Sequence, residues 1–145
     1  MPIVSRRLSA LATDRGAAAV EFALLLPLLL LIVFGIIDFG RALNAQITIT
    51  QAAREGARLD ALNQPNVVPR TQAAATGLSG VGVTIVSACP PGSGPTANAD
   101  VKVSYTFNFI TPIGAIAKLF GGGGGGSGLG SALSLTAQGV MPCET

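Results

Sequence analysis

The apolar positions divide the chain into a front half with helical character and a back half that alternates. From Phe22 to Ile37 there is no charged residue, and at ~1.5 Å per helical residue that run is roughly 24 Å long. Adding Ala17 to Val20 brings it to about the length that crosses the hydrocarbon core of a bilayer. Pro27 falls inside the run, removes one backbone donor and collides with the carbonyl four residues back, which predicts a kink or a local loosening. From Asp38 to Leu62 the helix continues, with Leu43, Ile47, Ala53, Ala57 and Ala61 spaced to form one apolar stripe and Arg41, Gln46, Arg54, Glu55 and Arg58 largely off it. Asn63-Gln64-Pro65-Asn66 ends this helix. Pro69 suits the first turn of a short second one through Ala75, and Gly77 suits its stop.

The second half reads as strands. Val81, Val83 and Ile85 alternate with Gly82 and Thr84, and Val86 leads on to Ala88 and Cys89. Val101, Val103, Tyr105, Phe107 and Phe109 alternate strictly with Lys102, Ser104, Thr106 and Asn108, a strand with one face buried. Leu133, Leu135 and Ala137 against Ser134, Thr136 and Gln138 give a third. Between the first two strands, Cys89 to Pro95 is a proline- and glycine-rich loop. Between the last two, Ile110 to Phe120 has the apolar spacing of a short helix, and residues 121–130 form a glycine-rich flexible tract. That tract lacks the lysine and serine or threonine that follow the glycines of a phosphate-cradling loop, so it is a linker.

Glu21 breaks the apolar segment. A carboxylate costs on the order of 2.5–3.5 kcal/mol at mid-membrane, less near the edge, and one kept there normally has a partner. No basic residue follows until Arg41, and Arg15 stands six positions earlier, too far round and along a helix to be an obvious mate. The sequence therefore asks for a counter-charge from elsewhere. Arg6, Arg7 and Arg15 against Asp14 put positive charge ahead of the run, which keeps that end in the cytoplasm and everything after Ile37 outside. Ser5-Arg6-Arg7 is superficially like a twin-arginine signal, but the run is too apolar for that route. Gly40-Arg41-Ala42 is a small-x-small triplet, so a conventional secretory signal cut after Ala42 stays open as a rival.

Gly16 followed by a small residue, with Glu21 at the fifth position after it and Phe22 at the sixth, resembles the processing site of type IV pilin-like proteins. Glu21-Phe22-Ala23 through Pro27, the Gly35-Ile36-Ile37-Asp38-Phe39-Gly40-Arg41 exit, and Ala52-Ala53-Arg54-Glu55-Gly56-Ala57-Arg58 together resemble the TadE-like family, minor pseudopilins of the tight-adherence (Flp) pilus system. The likeness covers about the first 60 residues; beyond them it is one of layout. The resemblance implies that a prepilin peptidase cuts after Gly16, that Ala17 becomes the first residue, and that its new α-amino group pairs with Glu21 of a neighbouring subunit. It also implies pilus-assembly proteins and other pilins as partners, with Arg54, Glu55 and Arg58 as candidate contacts. The competing reading of those three is a solvated helix face. Arg54 and Arg58, four apart, repel if both are bare, and Glu55 is their nearest relief.

Length and composition narrow the rest. With 145 residues there is room for one domain, and the part beyond the apolar segment, roughly 105 residues, is enough for a small core. Hydrophobic residues make up 49% and charged ones 11%, and the net charge is only +2, which argues against disorder and against nucleic-acid binding. The chain has no histidine and two cysteines, too few ligands for a Cys/His zinc site and no imidazole for a catalytic triad. No enzyme activity, cofactor or small-molecule substrate is expected. Cys89 and Cys143 stand at the ends of the first and third strands, and in an up-down-up meander those ends lie on the same side of the sheet. A disulfide is therefore permitted, and an exterior compartment would preserve it; the alternative is two free buried thiols.

The expected fold is α+β and pilin-like. A cytoplasmic leader (1–16) precedes a transmembrane helix (17–37) and its extension (38–62), and an exterior domain (63–145) carries a small antiparallel sheet of about three strands. The expected function is structural: a processed minor pseudopilin held in a bacterial cytoplasmic membrane, with its C-terminal domain outside. The rivals are an uncleaved single-pass binding module and a secreted domain released after Ala42.

Overall fold

The computed structural model describes residues 6–112 and 132–144. The glycine tract 121–130, and the short helix expected over 110–120 beyond Pro112, lie outside the described residues. Helix α1 (Arg6–Ala61) is one uninterrupted element of 56 residues, roughly 84 Å long at ~1.5 Å per residue. Pro27 lacks the N–H that would bond the carbonyl of Ala23, yet the helix runs on past it.

α1 changes character near Ile37. Between Gly16 and Ile37 none of its side chains is buried by the described residues: Leu24 is 73% exposed and Ile36 69%. From Asp38 onward one face is covered, by residues recurring every three or four positions: Asp38, Ala42, Ala45, Ile49, Ala52, Ala53, Gly56, Ala57 and Asp60. The stripe predicted from the sequence is corrected here. Ala53, Ala57 and Ala61 belong to the buried face, but Leu43 and Ile47 lie on the opposite side, half or more exposed. The side chains on the covered face are mostly small because the sheet approaches closely. A Cβ added at Gly139 would run into the backbone of Ala53 and stop 2.8 Å from the amide nitrogen of Arg54. A Cβ at Gly56 would lie 2.6 Å from Thr71 Oγ1 and 3.0 Å from Val101 Cγ1. Alanine and glycine mark the closest approaches, and Ile49 and Leu59 are the large apolar residues that α1 buries beyond Ile37, so the usual large-residue amphipathicity is weak there.

The C-terminus of α1 is closed by a turn around Asn63, which takes a positive φ of 52°. Gln64 N–H donates to the Leu59 carbonyl and Asn63 N–H to the Asp60 carbonyl, both at 2.9 Å, which satisfies two of the carbonyls a helix end leaves bare. Glu144 N–H, from the far end of the chain, donates to the Ala61 carbonyl at 3.1 Å. Helix α2 (Val67–Ala74) starts two residues before the expected Pro69. A proline in a first helical turn costs no hydrogen bond, because the N–H there would have no partner.

Strands β1 (Gly82–Ser87), β2 (Asn98–Phe107) and β3 (Leu133–Pro142) form one antiparallel sheet in the order β1-β2-β3. The register pairs Val83 with Val103 and Val103 with Ala137, so three apolar residues line up across the inner face. Ala99, Val101, Val103 and Phe107 of β2 are buried, while Lys102, Ser104 and Thr106 are exposed, as the alternation requires. The central core joins Ile49, Ala52, Ala53 and Ala57 of α1 to Val101 and Val103, with Ala75 and Val81 beside them. Two expected boundaries shift. Phe109 leaves the strand and meets Phe107 edge-on, ring centroids 5.4 Å apart, because the chain bends there to bring Ile110 and Thr111 to α1. β3 outlasts the sequence pattern at Gln138, because its next inward position is Gly139, which supplies no side chain to continue the alternation.

Candidate assembly and anchoring surface

Gly16, Ala17, Glu21 and Phe22 all lie on α1 and are all exposed. Ala17 and Glu21 are four apart, so they share one helix face, one turn from each other. A Cβ at Gly16 would meet nothing within 4 Å, so no contact within the fold demands glycine there. The ion pairs among the described side chains are Arg41–Asp38 and Arg58–Glu55; Glu21 belongs to neither.

Arg54, Glu55 and Arg58 sit 33 to 37 positions beyond Glu21, on the order of 50 Å along the axis, so the two groups of candidate residues form separate places. Arg58 grips Glu55 with a two-pronged contact, Nε to Oε2 and Nη2 to Oε1, both 2.9 Å. That hydrogen bonding, opposed by burial and aided by the charges of Arg58 and Arg70, holds the Glu55 carboxyl below its ordinary value. The same contact raises Arg58. Arg54 is exposed and has no ion-pair partner among the described residues. At 100° per residue, Arg54 and Arg58 fall on the side of α1 opposite the sheet, in line with Ile36, Leu43 and Ile47. This uncovered side therefore runs from apolar at the exit of the long run to basic further out.

Two buried aspartates, neither singled out as a site from the sequence, fix the sheet to the helix. Asp38 is 1% exposed. It accepts the N–H groups of Ile110 and Thr111, each at 3.3 Å, and the Thr111 hydroxyl, and it pairs with Arg41 Nη1 at 3.2 Å. Burial pushes its carboxyl up, but the bonds from Thr111, Ile110 and Arg41 outweigh that and hold it below its ordinary value. Arg41 in turn lies over the Phe107 ring, 5.1 Å from its centroid. Asp60, at the other end of the covered stretch, accepts the Cys89 N–H at 3.1 Å. A signal for both was present: Asp38 and Asp60 are in phase with Ala42, Ala45, Ile49 and Gly56, on the face where a charge has no reason to be unless it holds something.

Cys89, just after β1, and Cys143, just after β3, are joined by a disulfide with Cα atoms 5.7 Å apart. It packs with Ala61 and Ala99 over the outer end of α1, and Cys143 N–H adds a bond to the Ala97 carbonyl at 2.9 Å. Among the described residues no three of His, Cys, Asp and Glu gather as metal ligands.

Helix α1 from Gly16 onward is long and apolar enough to cross a membrane. Residues 16–58 match the model of the family described as TadE-like protein, the stretch that contains the exposed apolar run, the Asp38–Arg41 pair and the Arg54–Arg58 cluster. Neither a curated protein nor a solved structure matches the chain.

Proposed function

We propose that this chain, TadE-like over residues 16–58, is a minor pseudopilin of tight-adherence (Flp) pilus biogenesis, anchored in the bacterial cytoplasmic membrane by the uncovered part of α1. The observation that carries this reading is that the matched stretch includes both an apolar helix left uncovered by the described residues and the start of the face that carries the sheet. From Gly16 to Ile37, roughly 33 Å of exposed helix matches a hydrocarbon core of about 30 Å. The leader with Arg6, Arg7 and Arg15 stays in the cytoplasm and the sheet domain lies on the other side.

A prepilin peptidase cuts after Gly16, and the α-amino group this creates on Ala17 pairs with Glu21 of a neighbouring pilin. Each charge then offsets the other in an apolar setting, where either alone would be costly. Pilus-assembly proteins meet the uncovered side at Arg54, Glu55 and Arg58. Release after Ala42 fits the packing poorly. Ala42 is itself buried under the sheet, and a cut there would separate Asp38 and Arg41 from Thr111 and Phe107.

The mass of the mature N-terminus tests the reading. Ala17 as first residue supports it, Met1 or Pro2 indicates an uncleaved anchor, and Leu43 indicates a released domain. Gly16→Val should abolish the shift to Ala17, because a branched side chain crowds a peptidase pocket shaped for glycine.

A further inference from the structure

A pocket of about 460 Å³ opens beside α1 where the helix leaves its apolar run, within the size range of small-molecule sites. Ile36, Ile37 and Gly40 line one side, Tyr105 and Phe107 of β2 the other, and Arg41 lies among them. Arg41 is held in place by its bond to Asp38 and by the Phe107 ring beneath it. That anchorage engages one guanidinium nitrogen, and the side chain is 41% exposed, so most of its five N–H donors are without a partner among the described residues.

The level of the pocket along the helix selects its ligand. Arg41 lies four residues past Ile37, roughly 6 Å along the axis, and the head-group layer of a bilayer extends about 5–8 Å beyond each edge of the hydrocarbon. The base of the sheet reaches the same level, since Ile110 and Thr111 donate to Asp38. Ile110 is 72% exposed there and Phe39 66%, an apolar rim at the helix exit. A planar guanidinium matches a phosphate through paired N–H donors, and the repulsion of an anion by Asp38 is reduced by the Ile110 and Thr111 donors that face its carboxylate.

We propose that this pocket seats the phosphodiester head group of a phospholipid from the leaflet facing the sheet domain, with Arg41 on the phosphate and Ile36 and Ile37 against the glycerol end of the chains. The proposal rests on Gly16–Ile37 being the span.

The sequence supplies its own reporter: there is no tryptophan and a single tyrosine, Tyr105, in the pocket wall. The full chain, purified in a neutral maltoside detergent, is titrated with dihexanoyl phosphatidylglycerol, with inorganic phosphate and with added detergent while Tyr105 emission is followed. The expected result is a saturable change with the phospholipid alone, weakened roughly tenfold in Arg41→Gln and only partly restored in Arg41→Lys, which supplies the charge without the paired donors. Saturation by inorganic phosphate would make this a soluble-anion site and overturn the lipid assignment. An equal response in Arg41→Gln, or to detergent alone, would overturn the phosphate contact. Should Arg41→Gln lose its thermal melt, Asn44→Phe decides, because Asn44 also lines the pocket and a ring there fills it while leaving the Arg41–Asp38 pair intact. Loss of the response in that variant upholds the site, and an unchanged response overturns it. Retention of the chain in carbonate-washed membranes reads the span separately, so a failed titration with the protein still retained counts against the pocket alone.

Discussion

Thr111 donates both its backbone N–H and its hydroxyl to Asp38, 73 residues earlier in the chain. This pairing ties the end of β2 to α1 where the helix leaves its apolar run. Asp38→Asn puts an amide where only acceptors serve, facing two N–H groups and a hydroxyl, and should destabilise the sheet domain by on the order of 1–3 kcal/mol. The pH dependence has a definite sign. The Asp38 carboxyl, just outside the span, is held below its ordinary 3.8, so its stabilisation is full above that value and is lost as pH falls through the lower folded value. Thermal melts should therefore show a gap between the parent and Asp38→Asn at about pH 7 that narrows on acidification below about pH 4. A gap independent of pH would mean that the charge of Asp38 contributes nothing to the tie.

Gly139 and Ala53 touch backbone to backbone, and that contact sets the distance between β3 and α1. Gly139→Ala has no soft neighbour to displace, so β3 must lift. A loss of roughly 1–3 kcal/mol is expected, at the upper end because the obstacle is backbone. Gly40→Ala is the control. A Cβ there meets nothing within 4 Å, and the exchange should be neutral or stabilising by about 0.5–1 kcal/mol through helix propensity. Melts of the two variants giving equal shifts would show that close approach is not what glycine provides at 139.

Cys89→Ser and Cys143→Ser should each cost about the same, since either alone opens the 54-residue separation that the bridge spans, worth roughly 4 kcal/mol in the chain-entropy account. The double variant should be little worse than either. Additive losses, or two reactive thiols in the folded protein, would contradict the bridge.

How far the sequence could be read followed from what each element displays. Strand β2 was legible because it is half-buried along its whole length, so Val101, Val103 and Phe107 alternate with Lys102, Ser104 and Thr106. The last third of β3 was not, because Gly139 buries backbone and leaves no apolar side chain to count. The apolar run of α1 stood out by length, and Glu21 by being its one charge. The buried face of the extension differs from the sequence pattern at Leu43 and Ile47 for a physical reason: close packing selects alanine and glycine at most covered positions, Ile49 and Leu59 excepted, so size does not mark the face. Asp38 and Asp60 carry the same lesson. They were in phase with the alanines, but only the fold reveals that Thr111 and Cys89 come to meet them. The Arg58–Glu55 contact needed no fold, since both partners are on one helical turn.

Glu21→Gln separates anchoring from assembly. The exchange removes a charge with little change of shape, so retention in the membrane should be equal or better. Cutting at Gly16 should continue, because the scissile bond lies about 7.5 Å away along a helix of ~1.5 Å rise per residue. What should fail is association with the neighbouring pilin, whose Ala17 amine would lose its partner and be left charged in an apolar site. The expected phenotype is a processed, membrane-resident chain that supports little or no pilus, read by mature mass, membrane fractionation and surface pilus counts on the same cells. Normal piliation by a correctly processed mutant would show that Glu21 is not the partner of the amine and would remove the main physical support for the pseudopilin mechanism. An unprocessed mutant would instead assign the carboxylate to recognition by the peptidase. The amine could then be tested by supplying the Glu21→Gln chain already trimmed to Ala17, where a restored pilus would free Glu21 of any role in the fibre and a continued absence would return it to the pairing.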